Sequence, residues 1–257
     1  MVRIALSSAS LYNHPSLPGA AVPKSRLPMI ATFLFLSGLC ALVLQNAWLR
    51  ELRLVFGVST AASAAVLAVF MAGLGAGGLF FGRRADRAQR PLALYGTLET
   101  LVAVSSAATP FLVDLARLVY TGLGGVEALG GTGSTLVRLA LSVVVLGFPT
   151  FLMGGTLPAA ARAAVAEDDD GRRGLSLLYG INTIGAVTGA AAATFLLLEV
   201  LGARRMLWSA CALNALVGYL AIRADRRDAA CAVEAPVPEP VPVPDPVPVP
   251  DPVPLLH

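Results

Sequence analysis

FMAGLGAGGLFFGRRADRAQRP, residues 70–91, is the stretch from which the rest of the chain can be read. Its first half is apolar and rich in glycine, fit to lie inside a bilayer. Its second half is a short loop with four arginines and one aspartate. Arginines flanking an apolar segment stay on the cytoplasmic side of a membrane. The stretch therefore predicts the orientation of one spanning helix and, by alternation, of all the others.

Outward from this loop the chain keeps the same character. Hydrophobic residues make up 56% and charged residues 14% of 257 positions, against about 25% charged in a soluble domain. Six apolar segments are expected, at Leu27–Trp48, Ser59–Phe81, Leu92–Val119, Leu136–Ala164, Leu175–Val200 and Ala203–Ile222. Each reaches the ~20 residues that cross a hydrocarbon core. Backbone groups in lipid must be satisfied internally, and nothing alternates as a barrel strand does, so the fold class is all-α. The predicted architecture is a polytopic six-helix bundle over 27–222, between a flexible tail at 1–26 and a disordered proline-rich tail at 223–257.

With the amino terminus inside, the inner segments hold 13 Lys and Arg and the outer ones 6, which predicts both termini in the cytoplasm. The basic balance thus serves topology, and no nucleic-acid partner is expected. The glycine-rich run Thr121–Thr135 is expected to be a mobile outer loop. Glu167 to Asp170, followed by Arg172 and Arg173, reads as a solvated turn and not a metal site. Pro236–Val253 repeats a six-residue unit, PVPEPV then PVPDPV twice, and predicts polyproline II.

Soluble catalytic signatures are missing. There is no nucleotide-binding GxGxxG after a strand, no P-loop and no HExxH; His14 and His257 sit in the tails. Cys40, Cys211 and Cys231 form no CxxC. No catalytic residue, metal ligand or cofactor is expected.

Polar groups within the apolar segments are the candidates for chemistry, because an ionisable group near the bilayer centre costs about 3 kcal/mol or more. Glu99 is first, with Tyr95, Ser106 and Thr109 near the same helical face. Asn182 and Gln45 follow. The Glu99 carboxyl is expected either to be protonated and hydrogen-bonded, to Asn182 or Gln45, or to be ionised and paired with a cation. Asp114, Glu199 and the run Arg50 to Arg53 are read as interfacial and solvated. Pro149 and Pro158, with Gly154–Gly155 between them, mark a kink or hinge. Glycines four apart, at Gly73 and Gly77, Gly78 and Gly82, and Gly185 and Gly189, predict close helix approach.

Four of these stretches carry a resemblance: SGLCALVLQNAWLRELRLVFG (Ser37–Gly57), the glycine-rich helix ending GRRADR, PTFLMGGTLPAAAR (Pro149–Arg162) and LLYGINTIGAVTGA (Leu177–Ala190). Together they resemble the membrane half of bacterial fused major-facilitator/spermidine-synthase proteins, over roughly Ser37 to Ile222. Gly82 to Arg90 also resembles the major facilitator loop G-x-x-x-D-R-x-G-R, with Gln89 in place of its second glycine. The resemblance implies one half of a major facilitator fold in the bacterial inner membrane. It implies a conformational latch at Asp86, with Arg87 and Gly82. It implies aminopropyl transfer only where a soluble nucleotide-binding domain is attached, so this chain is not expected to catalyse that reaction by itself. The expected function is a membrane component of the spermidine synthase-like group, handling a small cationic or amphiphilic solute or docking a separate aminopropyltransferase subunit. The alternatives are a half-size transporter acting as a homodimer and a structural membrane anchor.

Overall fold

The computed structural model describes residues 26–164 and 169–234. Residues 1–25 and the proline repeat lie outside the described residues, as do Glu167 and Asp168 of the acidic turn; residues 223–234, expected to be part of a disordered tail, are instead helical and continue α7 to Glu234. Among the described residues the chain is helical and forms no strand. The helices are α1 (Arg26–Phe56), α2 (Thr60–Asp86), α3 (Pro91–Gly122), α4 (Gly125–Gly154), α5 (Thr156–Ala164), α6 (Asp169–Ala192) and α7 (Leu198–Glu234). A π-helical turn, Ala193–Leu197, joins α6 to α7.

Five stretches are long and apolar enough to cross a membrane: Leu27–Phe56, Thr60–Asp86, Pro91–Gly122, Gly125–Ala164 and Gly174–Ala230. Large apolar side chains point away from the bundle along several of them, among them Phe80, Phe111, Leu118, Val144, Phe148 and Phe195. An apolar belt of this extent is not sustained in water. The molecule is built as a helical membrane protein.

The last stretch is not a single rod. Gly202 adopts φ 72° and ψ 168°, a conformation that L side chains avoid, and the chain doubles back there. Before it, α6 runs parallel to α1, with Gly185 against Phe35 and Gly189 against Leu39. After it, α7 runs antiparallel to α3, from Arg204 beside Asp114 to Gly218 beside Gly96.

The packing follows a simple rule. α2 lies along α4, α1 along α6, and α3 along α7, with α1 also meeting α7 and α3 meeting α4. Exchanging α1 with α4–α5, α2 with α6, and α3 with α7 leaves this scheme unchanged. The two halves of the chain are therefore alike in packing and opposite in direction. The glycines repeat the relation: Gly73 and Gly77 of α2 seat on Thr150 and Phe151 of α4, as Gly185 and Gly189 of α6 seat on α1. Gly96 meets Gly218 where the third pair crosses. Gly82, by contrast, faces open space, and Gly78 makes only an ordinary contact.

Two further expectations change, over Thr121–Thr135 and at the end of α1. The run Thr121–Thr135 is mostly helical: α3 continues to Gly122 and α4 begins at Gly125, with a break at Gly130 (φ 66°). Its glycines form bends between short helical pieces, so it is no open loop. Pro149 lies within α4, and the helix ends only at Gly154–Gly155. Pro158 is the third residue of α5, where the missing N–H has no intrahelical acceptor in any case. Finally, α1 continues beyond Trp48 to Phe56, carrying its charged turn with it.

Candidate functional site

The polar face of α3 turns towards α1. Tyr95, Glu99, Ser106 and Thr109 are all buried. The Tyr95 hydroxyl donates to the Phe33 carbonyl (3.1 Å), the Ser37 hydroxyl donates to Glu99 Oε1 (2.5 Å), and the Trp48 indole N–H donates to Thr109 Oγ1 (2.8 Å). Three rungs thus join the two helices along about 21 Å, the rise of fourteen helical residues. Each rung satisfies a group that would otherwise be stranded in an apolar interior.

Of this face Glu99 also lines a cavity. The cavity holds about 270 Å³, near the lower end of the ~300–1,000 Å³ usual for small-molecule pockets. Its polar wall is Ser37, Glu99, Thr156, Asn182 and Asn214. Phe70, Leu74, Val102, Met153 and Leu157 supply much of the apolar remainder. Glu99 is 1% exposed, and no Lys, Arg or His lines the space. Asn214 is buried and its amide oxygen has no hydrogen-bond partner. A carboxyl group, an unpartnered amide oxygen and a second amide around one small space make an acceptor-rich lining. That lining suits a donor-rich or cationic guest.

The helix breaks help to shape this cavity. Gly154, at the end of α4, packs on the α2 backbone at Leu74, and Gly38 of α1 packs on the α6 backbone at Asn182. A β-carbon at either position would force the neighbouring helix away. The Gly154–Gly155 break lets α5 swing Thr156 and Leu157 to the cavity wall.

The expected site residues are therefore only partly brought together. Glu99 and Asn182 share the cavity. Tyr95 lies beside Glu99 but in the α1–α3 seam. Gln45 is two turns along α1 from Ser37, does not line the cavity, and leaves its own buried amide oxygen unpartnered. The hydrogen-bond partner of Glu99 is Ser37, not Asn182 or Gln45. Asp86 and Arg87 are exposed at the end of α2, while Arg90, further along the same loop, pairs with Asp225 of α7.

Two charged groups play roles that spacing did not signal. Glu51 is buried, and Arg204 bridges it (3.5 Å) to Asp114 (2.5 Å), tying α1, α3 and α7 together. Glu51 is thus buried in a network where a solvated group was expected, while Asp114 is paired but remains exposed, as expected. Arg138 is also buried, at 6% exposure, and donates twice to the Tyr120 hydroxyl (2.9 and 3.1 Å) and once to Ser59 Oγ (3.2 Å). It is thus an interior cation held by neutral oxygens, not a charge flanking a span.

Comparison with protein-family models, with curated proteins and with solved structures finds no match to this chain. The site geometry therefore carries the functional reading.

Proposed function

We propose that this chain is a membrane protein of six crossings that takes a small organic cation into the Glu99 cavity. The observation that carries the reading is a buried carboxyl group facing a small space with no basic side chain on its walls. An intramembrane carboxyl group is costly, and groups of this kind mark ion and substrate pathways. Polyamines are the class to test first, being short, flexible cations whose ammonium ends match the carboxyl and amide oxygens. The resemblance to the membrane half of the fused spermidine-synthase proteins points to the same class. In this reading the helix reversal at Gly202 separates the fifth crossing from the sixth. Both termini face the cytoplasm, in the inner membrane of a bacterium.

A second reading, a half-size transporter acting as a homodimer, is favoured by the packing symmetry. Inverted repeats of three helices are the internal unit of several transporter folds, and a major facilitator half contains one such pair. Docking of a separate aminopropyltransferase is compatible with either reading.

Equilibrium dialysis of the detergent-purified chain against labelled putrescine and spermidine tests the proposal. Glu99→Gln keeps the Ser37 contact and removes the charge. Binding by the parent and at least about tenfold weaker binding by Glu99→Gln, a loss of about 1.4 kcal/mol, is the expected result. Equal binding by the two proteins would make the carboxyl group structural.

A further inference from the structure

A second built cleft lies at the end of the bundle opposite the Arg83–Arg90 loop. There the last turns of α1 face the π-helical turn Ala193–Leu197 across a space of about 140 Å³. Asn46, Arg50, Arg53 and Thr194 supply its polar wall, and no carboxylate lines it. Glu51, between the two arginines in sequence, turns instead to Arg204. Neither Arg50 nor Arg53 has an acidic partner among the described residues. The Nε of Arg53 is buried and has no hydrogen-bond acceptor.

The π-turn supports the same reading. It is a widening of the helix that recurs at functional sites, and here it places Thr194 on the cleft. Thr183 and Thr188 return their hydroxyls to the carbonyl four residues back, at 2.9 Å each. Thr194 forms no such bond, so its hydroxyl is left for the cleft. Two guanidinium groups and a hydroxyl are donors in excess, with one donor already desolvated; the Asn46 amide nitrogen donates to the Leu42 carbonyl (2.8 Å). Arginine forks match the oxygens of phosphate in pairs, and the charge-assisted bonds are strong.

We propose that this cleft binds a phosphate group at that face of the membrane. The shared chemistry is a tetrahedral oxyanion, presented either by a phospholipid headgroup or by free phosphate. This site is independent of the Glu99 cavity.

The test is thermal melting of the full chain in a neutral detergent with one of three probes: dioctanoyl phosphatidylglycerol, inorganic phosphate, or dioctanoylglycerol, which has the acyl chains without phosphate. Arg50→Gln, Arg53→Gln and Arg83→Gln are compared with the parent. The expected result is a rise of about 5 °C with a phosphate-bearing probe, lost in Arg50→Gln and Arg53→Gln and kept in Arg83→Gln. A rise with the lipid alone identifies a headgroup; a rise with inorganic phosphate as well identifies the free anion as sufficient. Arg50 is exposed, so its variant keeps the test valid if Arg53→Gln does not fold. The proposal is overturned if no probe raises the melting temperature, if dioctanoylglycerol raises it equally, or if both cleft variants respond as the parent does.

Discussion

Removing the Ser37 hydroxyl leaves the Glu99 carboxyl in an apolar interior without its donor. Ser37→Ala is expected to cost about 1–3 kcal/mol, the penalty of stranding a buried polar group. Because the two residues form one pair, the double variant Ser37→Ala with Glu99→Leu, which removes the acceptor, should lose less than the two single losses together. Thermal melts of the four proteins provide the cycle; strict additivity would mean that the contact contributes nothing. Arg138 invites the opposite expectation. A buried charge held only by neutral oxygens is expensive, and well-packed apolar replacements of such groups are often neutral or stabilising. Arg138→Met combined with Tyr120→Phe should therefore melt no lower than the parent. A fall beyond about 5 °C would show that the cation is needed for the fold. Neither the Ser37 contact nor the setting of Arg138 was legible in the sequence. Serines occur throughout the apolar segments, and only tertiary packing selects the one opposite Glu99. Arg138 sits among residues whose composition reads as the flank of a span. Glu99 was legible, because a lone acid in an apolar run is conspicuous wherever its partner lies.

At the scale of elements, the glycines separate into two kinds. A β-carbon at Gly77 would run into the Phe151 carbonyl, whereas Gly75, two residues earlier on the same helix, faces open space. Gly77→Ala is expected to destabilise the bundle by about 1–3 kcal/mol, as overpacking does. Gly75→Ala should be neutral or gain up to about 1 kcal/mol from helix propensity. If both variants melt alike, the close approach of α2 and α4 is not what the glycine is for. The four-residue spacing correctly marked Gly73, Gly77, Gly185 and Gly189 as contact positions and wrongly included Gly82. Spacing shows which face a residue is on, but not whether a neighbouring helix extends that far. The same limit explains the run Thr121–Thr135. Its glycines read as turn signals, yet only Gly124, Gly125 and Gly130 take a positive φ, and the rest of this largely exposed run stays helical. The apolar spans were legible since their length is set by the bilayer and not by a particular partner. The extension of α1 past Trp48 was not, because only tertiary packing buries its charged turn: Glu51 meets Arg204, and Leu52, Val55 and Phe56 join the core.

For the whole molecule, the packing symmetry and the reversal at Gly202 place Arg226 at the end of the Arg83–Arg90 loop and the turn Gly124–Gly133 at the other. Reporter fusions at these two places should lie on opposite sides of the membrane, with Arg226 inside. Finding both on one side would remove the six-crossing reading. The most direct measurement of the central claim is native mass spectrometry of the full chain released from native membranes, beside Glu99→Gln prepared in the same way. The account predicts that the parent retains a small organic cation, or takes one up when spermidine is added, and that Glu99→Gln does neither. A parent that shows the bare polypeptide mass and gains no adduct with added spermidine would contradict it.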